Sequence, residues 1–101
     1  MRNINLKVTK ANIKNGEKVN PGKCPIANSI MEQVKNVYYV RVLPEEAAIK
    51  IKHGNKITTY KSNLPKVANN FIRMFDDGAK VKPFSLNLSF KKINRKIADL
   101  I

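Results

Sequence analysis

Hydrophobic and polar residues alternate near both ends of the sequence, and this alternation predicts a β-strand at each end. The first strand is expected over residues 4–8, where Ile4, Leu6 and Val8 are separated by polar residues. The last strand is expected over 83–90. Its alternate residues are hydrophobic: Phe84, Leu86, Leu88 and Phe90. Each of these strands should therefore bury one face and expose the other.

Three further strands are predicted in the middle of the chain. Residues 37–42 are mostly β-branched or aromatic, which indicates a strand in the centre of a sheet. Residues 48–52 and 56–60 alternate on either side of a His-Gly-Asn loop, a pattern typical of a β-hairpin. The two isoleucines of the first hairpin strand should share one face, and Lys50 and Lys52 the other.

Hydrophobic residues at helical spacing predict two main helices. The first begins at Pro25, whose fixed φ suits the first turn of a helix, and continues to Lys35. Its hydrophobic stripe comprises Ile26, Ala27, Ile30, Met31 and Val34. A short helical turn that precedes it should begin after Thr9 and end before Gly16.

The second main helix is predicted over residues 64–77, with Ser62 and Asn63 at its N-terminal cap and Pro65 in its first turn. Gly78 suits the position just after the end of this helix. The hydrophobic stripe comprises Val67, Ala68, Phe71, Ile72 and Phe75. The two phenylalanines of this stripe are expected to anchor the core.

Residues 91–101 predict a short basic amphipathic helix. Its hydrophobic residues recur at helical spacing: Ile93, Ile97, Leu100 and Ile101. Its cations are clustered: Lys91, Lys92, Arg95 and Lys96. Two interpretations stay open. The helix either docks on the body through its isoleucines with its cations solvated, or it presents those cations to a partner.

Together these elements predict an α+β fold. We expect a small antiparallel or mixed sheet of about five strands, with two main helices on one face and the short basic C-terminal helix. Residues 1–90 should form a single domain, and 91–101 the helix or tail that follows. No hydrophobic run approaches the length of about 18 residues that a membrane span needs, and the alternating N-terminus does not predict a signal peptide.

The charge of the chain limits the classes of partner. The 101 residues carry 20 Lys and Arg against 7 Asp and Glu, a formal net charge of +13. So large a charge favours polyanionic partners. Only four of the cations are Arg, and Lys is typical of phosphate or diffuse electrostatic contacts more than of bidentate base recognition.

The sequence contains no recognisable catalytic group. Cys24 is the single cysteine, so an internal disulfide and a cysteine zinc site are excluded. At a helix start its thiol pKa would fall, which suggests a nucleophile. However, a nucleophile needs a nearby base, and the only histidine, His53, is predicted in a distant turn. We therefore expect Cys24 to be a buried structural residue, and we expect neither enzymatic activity nor a cofactor.

Two acidic residues, Asp76 and Asp77, lie at the C-terminal end of the second main helix. They could contribute to a metal or acid site, or they could be surface carboxylates near Lys80 and Lys82. We favour the surface interpretation, because two adjacent acids without a further ligand do not make a metal site.

Several short motifs resemble a group of small uncharacterised proteins from bacteriophage genomes. That family has a CPIA-like helix start and an FI-x-x-FD-x-G pattern followed by PF-x-x-x-L. The matching positions here are Val8-Thr9, Cys24 to Ala27, Phe71-Ile72, Phe75-Asp76, Gly78, and Pro83-Phe84 with Leu88. The resemblance covers about residues 4–90 and leaves out the basic tail. It implies a phage or prophage source and no particular activity.

The leading functional hypothesis is a nucleic-acid-binding protein, with DNA or RNA held through its phosphates and with little sequence preference. The candidate contacts are Lys50, Lys52, Lys56, Lys91, Lys92, Arg95 and Lys96. Three tyrosines could stack bases if exposed, although strand tyrosines are more often buried: Tyr38, Tyr39 and Tyr60. The chain has no signature of a known nucleic-acid-binding motif.

The alternative hypothesis is a protein-binding module, either a virion component or an inhibitor of a host enzyme, that engages an acidic surface. A single basic face beside exposed tyrosines would favour nucleic acid, whereas a large exposed apolar patch ringed by lysines would favour a protein partner. We expect the protein in the cytoplasm of the host cell, with association with the virion as the alternative location.

Overall fold

The strands form one antiparallel sheet. In the computed structural model, which describes residues 2–93, the elements are β1 (Arg2–Val8), α1 (Lys10–Asn15), α2 (Pro25–Gln33), β2 (Val37–Val42), β3 (Glu46–His53), β4 (Lys56–Asn63), α3 (Lys66–Asp76) and β5 (Phe84–Lys92). The order across the sheet is β1-β5-β4-β3-β2, and each neighbouring pair is antiparallel. The predicted α+β class with five strands is confirmed. Within residues 2–93, no helix is both long and hydrophobic enough to cross a bilayer.

Helix α2 contacts both edge strands of the sheet, β1 and β2. The two edges of a flat five-stranded sheet would be about 19 Å apart, whereas a helix with its side chains is only about 10–12 Å wide. The sheet therefore curls around α2. The curl places the hydrophobic core on the concave side and leaves the other face of the sheet convex.

Helix α2 and the loop before it form hydrogen bonds with backbone groups at both edges of the curled sheet. At β1, the Gln33 amide nitrogen donates to the Lys7 carbonyl (2.6 Å), and the Gln33 amide oxygen accepts from the Lys7 N–H (3.0 Å). At β2, the Val42 N–H donates to the carbonyl of Pro21, just before the helix (2.8 Å). These bonds satisfy backbone groups that an open edge would offer to another chain.

One hydrophobic cluster joins the sheet to both main helices. Helix α2 contributes Ile26, Ala27 and Ile30, each with 0% of its surface exposed. Helix α3 packs through Phe71, whose ring centroid lies 4.6 Å from that of Phe84 on β5. Buried residues of β1, β2, β3 and β5 belong to the same cluster, and the partly buried Tyr60 of β4 packs against it. The two main helices therefore lie on one face of the sheet, as predicted.

Helix α1 begins with a reciprocal cap that fixes it against α2. The Thr9 hydroxyl accepts from the Asn12 N–H (3.2 Å), and the Asn12 side-chain oxygen accepts from the Thr9 N–H (2.9 Å). The remaining Asn12 amide donates to Glu32 of α2. Asn12 is buried yet fully hydrogen-bonded, so it costs little stability.

Cys24 is the N-cap of α2. Its Sγ accepts from the Ala27 N–H at 3.4 Å, and only 4% of the residue is exposed. Burial raises the pKa of the Cys24 thiol and outweighs the opposing effect of the backbone N–H groups. His53 is exposed at the end of β3. The structure therefore supports the structural interpretation of Cys24, because a buried protonated thiol is a poor nucleophile.

Two residues predicted in the hydrophobic stripes are exposed instead. Met31 on α2 is 45% exposed and Val67 on α3 is 54% exposed. On α2, Ser29 is buried although it belongs to the polar face of the predicted helix. Its burial is tolerated because its hydroxyl donates to the Ile26 carbonyl (2.7 Å). On α3, the buried residues from Ala68 to Phe75 already complete a hydrophobic stripe, and Val67 lies outside it.

The start of α3 was also predicted incorrectly. Ser62 and Asn63 belong to β4, where they pair with β3, and Pro65 is the N-cap without a side-chain cap. The Ser62 hydroxyl accepts from the Ser89 N–H of β5 (3.2 Å). The Ser62 side chain, which the local sequence predicted as a helix cap, therefore bonds to the neighbouring strand of the sheet instead.

Two strand assignments differ from the prediction as well. Strand β2 lies at the edge of the sheet, not in its centre, and its hydrophobic residues are buried because α2 covers it. Strand β5 continues through Lys91 and Lys92, which pair with Lys61 and Tyr60 of β4. The predicted C-terminal helix therefore does not begin at residue 91, and its residues 94–101 lie outside the described residues.

Replacing Phe71 by Ala should lower the free energy of unfolding by about 3–5 kcal/mol, because it empties the contact between α3 and β5. The matched control is Val67→Ala on the exposed side of the same helix, which should change stability by less than about 0.5 kcal/mol. Urea denaturation measures both. Equal losses for the two variants would contradict the packing of α3.

Replacing Gln33 by Ala should lower the free energy of unfolding by about 1 kcal/mol, because two hydrogen bonds to Lys7 are lost. The freed β1 edge should also promote self-association, measured by light scattering at high protein concentration. Gln33→Glu keeps the acceptor and loses the donor, so it should show an intermediate loss of stability. An Ala variant as stable and monodisperse as the parent would show that Gln33 does not close the edge.

Replacing Cys24 by Ser should cost less than the roughly 1–2 kcal/mol expected for a buried hydroxyl, because Ser is also a strong N-cap for the Ala27 N–H. Cys24→Ala removes the cap and should be less stable than Cys24→Ser in the same urea titration. In the native parent at neutral pH, iodoacetamide should alkylate Cys24 far more slowly than in urea. Equally rapid alkylation of the native protein would contradict the buried, protonated thiol.

Candidate functional site

The convex face of the sheet is not covered by any described element. Its outward positions follow from the strand register, since residues directly opposite each other in an antiparallel pair lie on the same side. On β1 and β5 they are Asn3, Asn5, Lys7, Ser85, Asn87, Ser89 and Lys91. On β2, β3 and β4 they are Tyr39, Arg41, Glu46, Ala48, Lys50, Lys52, Ile57, Thr59, Lys61 and Asn63. All of these residues are exposed or half-buried, so no element within residues 2–93 packs over them.

A basic row crosses the convex face. Arg41 lies opposite Ala48, Ala48 opposite Lys61, and Lys61 opposite Lys91. The three cations of this basic row are exposed. Like charges directly opposite on neighbouring strands destabilise a sheet, and Lys61 and Lys91 form such a pair.

The basic row receives little neutralisation from the described part of the protein. Lys61 is 3.8 Å from the Glu46 carboxylate, but both side chains are more than 40% exposed. An exposed ion pair of this kind contributes about 0–1 kcal/mol. The row therefore keeps most of its positive potential for a ligand.

A second row, the aromatic row, lies beside the basic row at a distance of two residues along the strands, about 6.8 Å. It consists of Tyr39, Lys50 and Thr59 in direct register. The Lys50 Nζ is 5.2 Å from the centroid of the Tyr39 ring, a cation–π contact. Tyr39 is 42% exposed. Beyond this row, Lys52 lies opposite Ile57.

Acidic residues are concentrated away from the convex face. Within residues 2–93 the face carries six cations and a single acid, Glu46. The other acids of this part of the chain lie in loops or on helices: Glu17, Glu32, Glu45, Asp76 and Asp77. The helical side also bears many lysines, but there they are interspersed with acids. The convex face is thus the more uniformly positive of the two sides.

The structure brings together only some of the predicted site residues. Lys50, Lys52 and Lys91 lie on the convex face. Lys56 lies opposite His53 at the tip of the hairpin, out of phase with the convex face. Lys92 lies opposite Tyr60, also out of phase with that face. Arg95 and Lys96 lie outside the described residues.

Three cations of the convex face were missed by sequence reasoning: Lys7, Arg41 and Lys61. Each occupies a polar position of an alternating strand, so alternation alone could have placed it on the face that points away from the core. What the sequence does not give is which distant strands are neighbours. Without the pairing of β4 with β5, nothing places Lys61 beside Lys91.

The tyrosines are more exposed than predicted. Tyr38 is 49% exposed at an irregularity in the pairing of β2 with β3, where Val37 and Tyr39 are paired and Tyr38 is extra. Only Tyr60 follows the expectation, since it is half-buried opposite Ile49. The edge position of β2 leaves its aromatic side chains accessible.

Asp76, the last residue of α3, has a structural role. One carboxylate oxygen of Asp76 accepts from the Val19 N–H at 2.9 Å. This bond fixes a loop in which Val19 adopts a φ of +52°, unusual for a β-branched residue. Within residues 2–93, no three His, Cys, Asp or Glu side chains lie close enough to hold a metal ion.

A second group of lysines surrounds an open concavity on the helical side. Its volume is about 620 Å³, and its rim carries Lys10 and Lys14 of α1 together with Lys82. Its lining is mainly hydrophobic and includes Ile13 and Val81. This lysine-rimmed concavity competes with the convex face as a place for an anion, and it supplies a matched control for experiments on the basic row.

No protein family, curated protein or solved structure matches this chain. The residues of the convex face are therefore the basis for a functional argument. They offer exposed cations in register, a partly exposed aromatic ring, and short polar side chains towards β1.

Proposed function

We propose that this protein binds nucleic acid through its phosphate backbone, with the basic row of the convex face as the main contact. The observation that supports this most directly is the pairing of Lys61 with Lys91. Two cations held opposite each other repel and reduce stability. A phosphate bound between the two lysines would attract both of them and so offset their repulsion.

The chemistry of the basic row favours binding with little sequence preference. Two of its three cations are lysines, which act as compact point charges and contact phosphates without reading bases. Arg41 adds a guanidinium that can hold a phosphate through two hydrogen bonds. The proposed activity is binding alone, and it involves no cofactor.

A protein partner with an acidic surface is the alternative. A protein docking surface usually contains a contiguous exposed apolar patch. The exposed hydrophobic residues of the helical side are divided among three parts of the chain: Val19 in a loop, Met31 on α2, and Val67 and Met74 on α3. The combination of a basic row and an exposed tyrosine favours nucleic acid instead.

The proposal includes a location. If the chain is a phage protein, as its resemblance implies, we expect it in the cytoplasm of the infected host, with the virion as the alternative. Immunoblotting of purified virions and of infected-cell lysate distinguishes this from a structural role in the particle. Recovery of the protein only in virions would contradict the cytoplasmic location.

Replacing Arg41, Lys61 and Lys91 together by Gln should weaken binding to oligonucleotides roughly tenfold or more at low salt. The slope of log K against log salt should flatten by about 2.7 on duplex DNA or about 2.1 on single strands, if each cation neutralises one phosphate. Fluorescence anisotropy of labelled oligonucleotides over a salt series measures both quantities. Unrelated sequences should lose affinity equally.

The control for this experiment removes the same charge elsewhere. Replacing Lys10, Lys14 and Lys82 by Gln neutralises the lysine-rimmed concavity and should leave the affinity within about twofold of the parent, apart from long-range electrostatics. If the control variant loses affinity and the basic-row variant does not, the convex face is the wrong site. If the parent binds no nucleic acid but binds polyglutamate, the alternative of an acidic protein partner replaces the proposal.

A further inference from the structure

We infer that the ligand is a single strand of nucleic acid, with one base stacked on Tyr39 and the neighbouring phosphates held by cations on either side of the aromatic row. This inference rests on the proposed function and specifies its substrate class. It depends on the shape of the convex face, the surroundings of Tyr39, and the spacing of the rows.

The shape of the face disfavours a duplex. The sheet curls around α2, so the surface opposite the core is convex. Duplex DNA is also convex and is stiff, with a persistence length of about 50 nm. Two convex bodies touch over a small area, whereas a single strand is flexible and can follow a curved surface. A single strand can therefore reach more of the cations.

The convex face, as far as residues 2–93 form it, also has no element that would enter a groove. DNA grooves are read by a protruding helix or by a free two-stranded ribbon. Here the main helices pack on the concave side, and β3 is paired with β2 from Ala47 to Ile51. The hairpin of β3 and β4 is therefore held within the sheet over most of its length.

Tyr39 has the environment of a stacking platform. Lys50 lies over its ring at 5.2 Å, which fixes the ring from the side of β3. Because β2 is the edge strand, no further strand of the described sheet lies beyond the other face of the ring. Tyr39 is 42% exposed, and an exposed aromatic ring on a sheet can stack any base, since every base has a π-face.

Cations lie on both sides of this platform. Arg41 is two residues from Tyr39 along β2, and Lys52 is two residues from Lys50 along β3. Because the two strands are antiparallel, these cations lie on opposite sides of the Tyr39–Lys50 pair. Each is about 6.8 Å from the aromatic row along the strands. A strand of nucleic acid that runs parallel to β2 would therefore meet a cation, a stacking ring and a second cation in succession.

The experiment compares single-stranded and duplex oligonucleotides of equal length, titrated into the full chain and measured by fluorescence anisotropy. The single-stranded probes are oligo-dT and oligo-U, which report whether DNA or RNA is preferred. We expect both single strands to bind more tightly than the duplex. Tyr39→Leu should weaken single-strand binding roughly 5- to 150-fold, the range for loss of one stacked base, and should leave duplex binding unchanged.

Two variants separate stacking from general damage to the sheet. Tyr39→Phe keeps the ring and should bind single strands like the parent, whereas Tyr38→Leu alters the adjacent exposed tyrosine and should have little effect. Because the chain contains no Trp, Tyr39→Trp introduces a unique tryptophan, whose emission can be excited selectively over that of the remaining tyrosines. Its emission should be quenched by oligo-dT or oligo-U and not by the duplex.

The outcomes distinguish the two proposals. If neither single strands nor duplex bind, the proposed function is wrong. If the duplex binds as tightly as single strands and Tyr39→Leu binds both like the parent, the nucleic-acid function stands and the single-strand inference is wrong. Equal quenching of the Tyr39→Trp variant's emission by duplex and single strand would also overturn the inference.

Discussion

The closure of both sheet edges by α2 and the loop before it is the constraint on which the rest of the structure depends. A curled sheet with open edges would expose unpaired backbone groups along β1 and β2. Gln33 at one edge and Pro21 at the other satisfy several of them. With the helix between its edges, the sheet directs its hydrophobic side chains inwards. Its polar side chains then remain on a face that no other described element covers.

Local signals predicted those parts of the fold that depend on local interactions. The cap of α1, the start of α2 at Pro25, the β3–β4 hairpin and the alternation of β5 are all present in the structure. The predictions were wrong where contacts between distant elements determine the position or role of a residue. Strand β2 is hydrophobic because α2 covers it, although it is an edge strand. Ser62 is a residue type typical of helix caps, but its hydroxyl accepts a hydrogen bond from Ser89 of β5.

The candidate site was less predictable than the fold, for a related reason. Alternation places Lys50 and Lys52 away from the core, and the structure agrees. The basic row needs the register between strands that are far apart in sequence, and no local pattern gives it. Lys91 illustrates the difference. The sequence predicted it on a terminal helix, and in the structure it acquires its neighbour Lys61 only because β5 extends two residues further.

The pairing of β1 with β5 has a consequence for how the chain acquires its structure. Strand β1 is the first of the described elements to be made, yet its only neighbour in the sheet is the last strand described. During synthesis β1 must therefore wait, unpaired, until about residue 92 has left the ribosome. Such distant pairing raises contact order and slows folding. The β1 segment would thus remain without its sheet neighbour until β5 has been made, and its polar outward residues, Asn3, Asn5 and Lys7, would help keep the unpaired strand soluble.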